Sequence, residues 1–374
     1  MGYQYLPCET LTKFCTDVFT KFHLAPNDAN IIAEVILQSD LYGIESHGVQ
    51  RLFRYFRALD QGVIDAAAEP ETVFETPVSA VIDGHNAMGQ LVGHRAMRLA
   101  IEKAKKSGVC MVSVRNSNHY GIAGYYAKMA CDAGLIGISC TNTNPMMVPT
   151  NGCVPLLGTN PIAFAMPAEP YPFLFDAATT AVTRGKVEVY NKLGKPLHEG
   201  WAVDAEGEGA TEASAVLGRI AHHENGGLLP LGGMSEESGG HKGYGYAMLC
   251  EFFAACLSLG TTSDCIGADG KAGVCHFFAA VDPSIFGDAD AIRAHFERYL
   301  QTLRESAHKK GCKVYTHGEK EIAASQRILR DGVPVNDNTM AEFAEICKGC
   351  ALDFADYFGA YRVKENRGFG GNFY

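Results

Sequence analysis

The spacing of apolar residues changes twice along this chain of 374 residues, and that limits its possible folds more than any single motif does. Over the first 62 residues the spacing is helical. Leu11, Phe14, Val18 and Phe22 fall on one face, and a second helix is predicted from Pro26-Asn27-Asp28 through Ile31, Ile32, Val35 and Ile36 to about Leu41. A third is predicted to start with Ser46 as N-cap, to carry Val49, Leu52, Phe53, Phe56 and Leu59 as its core stripe, and to end at Gly62. From about Ala80 short strands alternate with helices. Val109 to Val114 and Ile136 to Cys140 read as strands around a helix from Ala123 to Ala133, with further strands at Phe173 to Phe175 and Phe277 to Val281. Asn142 to Pro170, rich in Pro, Asn, Gly and Thr, reads as a ligand-lining loop. A Gly-rich stretch from Gly232 to Gly245 precedes an apolar segment, Tyr246 to Leu259, that reads as a buried helix. Thr261 to Ala272 reads as a loop and Asp290 to His308 as an amphipathic helix. Beyond Glu319 the helical spacing returns, with Gly368 to Gly371 expected to be irregular. The fold class implied is α/β: a central α/β domain with a helical lobe formed from both chain ends.

The length supports two units, since single cores seldom grow this large. With 47% hydrophobic and 20% charged residues the composition is that of an ordinary globular protein. A formal charge of −10, without a long basic block, argues against a nucleic-acid groove or an anionic membrane surface. The longest apolar stretch, Ala247 to Gly260, is interrupted by Glu251 and is too short to cross a bilayer. Thirteen cysteines, odd in number and irregularly spaced, fit reduced thiols in a cytoplasmic protein better than a disulfide framework. The start of the chain has neither a secretion signal nor a myristoylation pattern.

Two short runs carry the chemistry. Ser46-His47-Gly48-Val49-Gln50-Arg51 and Arg115-Asn116-Ser117-Asn118-His119-Tyr120-Gly121 each set a histidine among small and hydrogen-bonding residues, with an arginine nearby. Imidazole can exchange a proton near neutral pH, and guanidinium forks onto a carboxylate. A small 2-hydroxy or 2-oxo acid is therefore the first substrate class. On the predicted third helix His47 and Arg51 share a face, close to a helix N-terminus that favours an anion. His119 directly follows a strand, where α/β folds place ligands. Asp176 is either an ordinary helix cap or an acceptor for a ribose hydroxyl or a histidine N–H. Lys242, within Gly239-Gly240-His241-Lys242-Gly243, is either solvated or set beside phosphate. Neither GxGxxG, a Walker loop, GxSxG nor a metal-binding spacing occurs, and His222-His223 reads as a solvated pair.

The ordered series SHGVQR, RNSNHYGIAGYY, TNTNPMMVP, LGTNPIAF, FDAATT, RGKVEVY, GWAVD, LLPLGG and GGHKGYG, followed by HFFAAVDPSIF, resembles the type-2 malate/L-lactate dehydrogenase family over most of the chain. That resemblance implies an NAD(P)-dependent homodimer with a non-Rossmann nicotinamide-binding domain, which would account for the missing GxGxxG. It assigns residues 76–314 to the cofactor-binding domain and residues 1–75 with 315–374 to the substrate-side lobe. It implies catalytic roles for His119, His47 and Arg51, with His119 favoured as the proton-transfer residue. Ser46, Arg51, Asn118, Thr159 and Asn160 are implied at the substrate, and Thr143, Asp176, Ala177, Ala178 and Lys242 at the cofactor. Gly318 and Glu319 match a nucleotide-touching PGE motif whose Pro is His317 here. No metal is implied. Malate with oxaloacetate is the favoured substrate pair; lactate, sulfolactate, ureidoglycolate, diketogulonate and cyclic imino acids are the alternatives within the family. NAD is favoured over NADP because no basic cluster for a 2′-phosphate stands out. A non-catalytic nucleotide-binding dimer is the runner-up from another class.

Overall fold

The computed structural model describes residues 2–268, 270–359 and 361. Strand β1 (Tyr3–Leu6) leads into α1 (Cys8–Lys21) and α2 (Pro26–Leu41); after two 3-10 turns, Glu45–His47 and Val49–Arg51, comes α3 (Leu52–Asp60). The middle of the chain continues through β2 (Glu71–Thr76), β3 (Ser79–Asp83), α4 (Gly89–Ser107), β4 (Val109–Ser117), α5 (Ala123–Asp132), β5 (Ile136–Thr141), β6 (Ile162–Met166) and β7 (Phe173–Ala177). Next come α6 (Arg184–Lys192), β8 (Ala202–Val203), α7 (Ala213–His222) and β9 (Gly227–Leu228). They are followed by α8 (Gly240–Glu251), a π-helical turn at Phe252–Cys256, β10 (Val274–Val281) and α9 (Ala289–Arg304). The chain returns through α10 (Glu319–Asp331), β11 (Val333–Asn336), α11 (Asp337–Cys350) and α12 (Ala355–Phe358).

Seven strands form the central sheet in the order β2-β3-β4-β10-β5-β6-β7. Only β3 and β4 pair in parallel, joined by α4 as a βαβ crossover; every other pairing in the sheet is antiparallel. Strand β10 lies at the centre and is buried along nearly its whole length. Its alternation sends Phe278 and Ala280 into the core under α4 and α5, and Phe277 and Ala279 into a second core against Ala254 and Ala255. The antiparallel pairing through β10 makes β4 and β5 run the same way, and β7 with them. Their carboxyl ends share one edge of the sheet.

The chain ends share a separate core. Strands β1 and β11 pair from Tyr3 opposite Asn336 to Leu6 opposite Val333, and α1 to α3 pack with α11 and α12. Phe14 of α1 lies 5.0 Å from Phe343 and from Phe358, and 5.1 Å from Tyr357, so residues far apart in sequence close one aromatic cluster.

Several expectations need correction. The third helix begins at Leu52, not Ser46, and Ser46 is not its cap. The reason is Gly48: Asp40 of α2, buried, accepts the Val49 N–H at 2.8 Å, and a Cβ on Gly48 would stand 1.9 Å from that carboxylate. The close approach breaks the segment into two 3-10 turns. The expected loop at Asn142 to Pro170 contains β6, whose register against β5 and β7 was not legible from its turn-rich flanks. The helix expected at Tyr246 starts six residues earlier, inside the Gly-rich stretch. Glycine is needed there for packing: a Cβ on Gly240 would lie 2.1 Å from the Gly233 carbonyl oxygen, and one on Gly243 would lie 2.4 Å from the Leu231 nitrogen. Nor is that segment buried all round: Ala247, Cys250, Ala254 and Ala255 pack inward, and the other side is open. Tyr246, Met248, Leu249, Phe252, Leu257 and Leu259 are exposed, Leu259 by 84%. Strands β1, β2, β3 and β11 have no counterpart in the sequence reading. Gly368 to Gly371 lie outside the described residues. No described helix is long and apolar enough to cross a membrane.

Candidate active site

A cavity opens at the shared carboxyl edge of β4, β5 and β7, where open α/β sheets place ligands. His119 enters it two residues past β4, Thr143 and Asn144 follow β5, and Asp176 and Ala177 end β7, with Ala178 just beyond. The facing wall comes from the helical core: Ser46 and His47 of the first 3-10 turn, Arg51 of the second, and Arg54 in the first turn of α3. Thr183 to Gly185 at the start of α6, and His223 at the end of α7, close the third side.

The two histidines, 72 positions apart in sequence, lie ring to ring, their centroids 5.6 Å apart and their planes inclined by 25°. Each has its Nδ1 occupied. His119 Nδ1 is 2.7 Å from the Tyr55 hydroxyl, and His47 Nδ1 is 2.9 Å from the Ser46 hydroxyl. A hydroxyl can donate to or accept from Nδ1, so either tautomer is served, and Nε2 is the nitrogen left for a ligand. Both rings line the cavity. Burial, with Arg51 and then Arg54 adding like charge, brings His47 down to about 3; burial and then Arg54 hold His119 well below the usual imidazole value. Burial and the like charges therefore favour the neutral form of both rings. Arg51 donates through Nε to the Ser46 carbonyl oxygen at 2.6 Å, which locks the arginine to the turn that carries His47.

The opposite wall offers hydroxyls and one carboxylate. Thr143 Oγ1 accepts the Thr159 N–H at 3.1 Å, fixing two loops to each other. Asp176 Oδ2 accepts the Gly124 N–H, at the start of α5, at 2.7 Å. Asp176 is open to the cavity yet ringed by protein, and desolvation pushes its carboxyl up to about 6. Behind the wall, His276 joins the ends of β4 and β5: Nε2 lies 2.9 Å from the Ser117 hydroxyl and Nδ1 2.8 Å from that of Thr141, and the ring stacks on Tyr120 at 4.2 Å.

Of the residues singled out in the sequence, Ser46, His47, Arg51, His119, Thr143, Thr159, Asp176, Ala177 and Ala178 line this cavity. Five do not. Asn118 is buried, and its amide donates to the Asn86 and Ala87 carbonyl oxygens, holding the turn before α4. Asn160 is also buried and donates to the Ala247 carbonyl oxygen and to Glu251 at 2.9 Å. Lys242 is exposed on α8. Gly318 lies against Pro172 and Leu174 near the start of β7. Glu319 is buried under Arg304 and Lys313 and accepts the Thr316 N–H.

The sequence reading missed Arg54, Tyr55, Arg184 and His223. Arg54 and Tyr55 stand three and four residues after Arg51, so helical spacing from that arginine was the available signal. The His222-His223 pair divides: His222 bonds back to the Gly218 carbonyl oxygen, while His223, left-handed at φ 54°, turns into the cavity.

The family model for malate/L-lactate dehydrogenase matches residues 6–344. The chain belongs to that family. It is 41% identical over 355 residues to a malate dehydrogenase of Pyrococcus horikoshii, covering 94% of this chain and 97% of that one. Identity to an L-sulfolactate dehydrogenase of Methanocaldococcus jannaschii is 36%, over 93% of this chain and 98% of the relative. The crystal structure of a malate dehydrogenase from Entamoeba histolytica superposes with a TM-score of 0.91 at 33% identity, covering 94% of this chain and 99% of that one. This malate/L-lactate dehydrogenase family member is thus an oxidoreductase acting on a small hydroxy acid with a nicotinamide cofactor.

Proposed function

We propose that the protein interconverts (S)-malate and oxaloacetate with NAD as the preferred cofactor, and that the chemistry occurs between His119, His47 and Arg51. The observation that carries this reading is the pair of neutral imidazoles, each anchored through Nδ1, facing a wall of hydroxyls and a carboxylate across one cavity. That wall fits a nucleotide. Thr143 supplies a hydroxyl, Ala177 and Ala178 supply backbone with little side-chain bulk, and Asp176 supplies an acceptor for ribose hydroxyls that disfavours a 2′-phosphate. A bound nicotinamide would take up hydride from the substrate carbon in oxidation and return it in reduction.

The chain's own residues do the rest. In oxidation, His119 Nε2 accepts the hydroxyl proton of malate while Nδ1 stays bonded to the Tyr55 hydroxyl. In reduction the imidazolium of His119 returns that proton to the forming alkoxide. Arg51 forks onto the carboxylate next to the reacting carbon, and Ser46 holds both Arg51 and His47 in place. His47, stacked on His119, orients it and closes that side to water. Thr159, tied to Thr143, completes the substrate side of the far wall.

A homodimer would cover the apolar side chains exposed along α8 and its π-helical end, Tyr246, Met248, Leu249 and Phe252 among them. All thirteen cysteines are free thiols, which suits the cytoplasm. The test is loss of reduced-nicotinamide absorbance with oxaloacetate beside pyruvate, sulfopyruvate, 2-oxoglutarate and a cyclic imino acid, run with NADH and with NADPH. Oxaloacetate with NADH is expected to give the highest kcat/KM. A higher value for another acid would move the substrate assignment, and silence across the panel would refute the catalytic reading.

A further inference from the structure

Behind the threonines of the cavity wall stands a carboxylate that the mechanism does not use. Glu251, the last residue of α8, does not line the cavity, yet it accepts hydrogen bonds from segments that form or brace its wall. Asn142, which follows β5, donates Nδ2 to Oε2 at 3.2 Å, and the Ser263 N–H reaches the same oxygen at 3.2 Å. Asn160, which leads into β6, donates Nδ2 to Oε1 at 2.9 Å, and the Ser263 hydroxyl joins it there. The chain beyond Glu251 is fastened as well: Ser113 Oγ of β4 donates to the Phe253 carbonyl oxygen at 2.9 Å, and Arg115 Nη1 to that of Ser258 at 3.2 Å.

Both asparagines are fully buried, and each adjoins a threonine that lines the cavity, Thr143 after Asn142 and Thr159 before Asn160. The Thr159 N–H bonds Thr143 Oγ1, and the Thr159 carbonyl oxygen accepts the Thr179 N–H at 2.9 Å, so this residue ties together the chain that follows β5 and the chain that follows β7. Asn160 has φ 32°, a left-handed backbone that its surroundings must hold. Its Oδ1 has no hydrogen-bond partner among the described residues, so Nδ2, shared between Glu251 and the Ala247 carbonyl oxygen, is the hold on that side chain. A carboxylate suits this position because it only accepts, with about four lone-pair sites for the four donors it meets. An amide does not. Whichever way a glutamine turns at position 251, its NH2 faces the Nδ2 of Asn142 or of Asn160 and releases that asparagine.

We propose that Glu251 is a positioning residue for the cofactor wall: by accepting from Asn142 and Asn160 at once, it fixes the loops that carry Thr143 and Thr159, and with them the surface on which the nucleotide binds. This rests on the reading that the cofactor lies along that wall. Glu251 touches no ligand and moves no proton. Its substitution therefore acts on nucleotide affinity, through the two asparagines.

The experiment is a double-mutant cycle of Glu251→Gln and Asn160→Gly, read by fluorescence titration with NADH and with NADPH and by thermal melting. Glycine at position 160 keeps the left-handed backbone without strain. Each single variant is expected to bind nucleotide roughly 5–30-fold more weakly than wild type. The double variant is expected to be under about threefold weaker than Asn160→Gly alone, because the glutamine NH2 then faces only the Ser263 hydroxyl, which can accept from it. Losses that multiply would overturn the assignment. So would wild-type affinity in Glu251→Gln with only a lowered melting temperature, the mark of a residue that serves stability alone. Either result leaves the enzyme reading intact, whereas a wild type that binds neither nucleotide would refute the cofactor reading and this assignment with it. Should Glu251→Gln fail to fold, the cycle is run with Glu251→Asp, which keeps the charge but is one methylene too short to reach both asparagines: losses that fall short of multiplying support the proposal, and losses that multiply contradict it.

Discussion

Tyr55 anchors His119: its hydroxyl lies 2.7 Å from Nδ1, and the bond joins α3 of the helical core to the loop after β4 of the sheet. Tyr55 is fully buried. The bond orients the ring and leaves Nε2 for substrate. Tyr55→Phe removes it at almost constant volume. The expected loss in kcat is roughly 5–30-fold, the cost of about one to two kcal/mol in a charge-assisted hydrogen bond, with a melting temperature close to wild type. Unchanged turnover would show that the bond does not orient the base.

The depressed histidines set the pH dependence. Burial and the adjacent arginines oppose the imidazolium form of His119 and His47 and favour the neutral rings in the free enzyme. Oxidation needs the neutral base, so its kcat/KM should stay level as pH falls past about 6.5, where an ordinary imidazole would begin to protonate. Reduction needs the proton, so its kcat/KM should fall about tenfold per pH unit across the neutral range. A break near pH 6.5 in both directions would contradict the burial argument.

Gly48 should not tolerate a side chain. A Cβ there would stand 1.9 Å from the buried Asp40 carboxylate, which is held in place by the Val49 N–H. Gly48→Ala is expected to lower stability by roughly 1–3 kcal/mol in urea unfolding and to reduce kcat, since the same turn carries His47 and Arg51. Wild-type stability would mean that the 3-10 turns relax freely.

Asp176 is the acidic group on the proposed nucleotide wall. Asp176→Ala is expected to weaken NADH binding by roughly tenfold, read by fluorescence titration, with less effect on NADPH than on NADH. Equal weakening of both would remove the argument for NAD preference.

Much of the sheet was legible because its central strands are mostly apolar, β-branched or aromatic runs: Val109 to Val114, Ile136 to Cys140 and Phe277 to Val281 all lie within strands. The edges were less legible. Strand β2 alternates Glu and Thr with only Val73 and Phe74 between, and β6 is hidden among turn residues, so pairing partners decide both. The site showed the same division. His47, Arg51 and His119 stood out by residue type, whereas Asn118 and Asn160, equally prominent in their motifs, serve buried backbone and side-chain partners. Arg54 and Tyr55 were signalled only by their helical spacing from Arg51, which does not say which distant strand end that face meets. The end of α8 was misread for a related reason: a run of apolar residues looks the same whether its own chain covers it or leaves it exposed.

The account turns on His119 as the proton-transfer group, and turnover of His119→Ala with malate and NAD measures this most directly, with NADH affinity determined on the same protein. The predicted result is a loss of roughly 10²–10⁴ in kcat with NADH binding within a few-fold of wild type. A loss under tenfold would assign the proton to another group, His47 first, and contradict the mechanism.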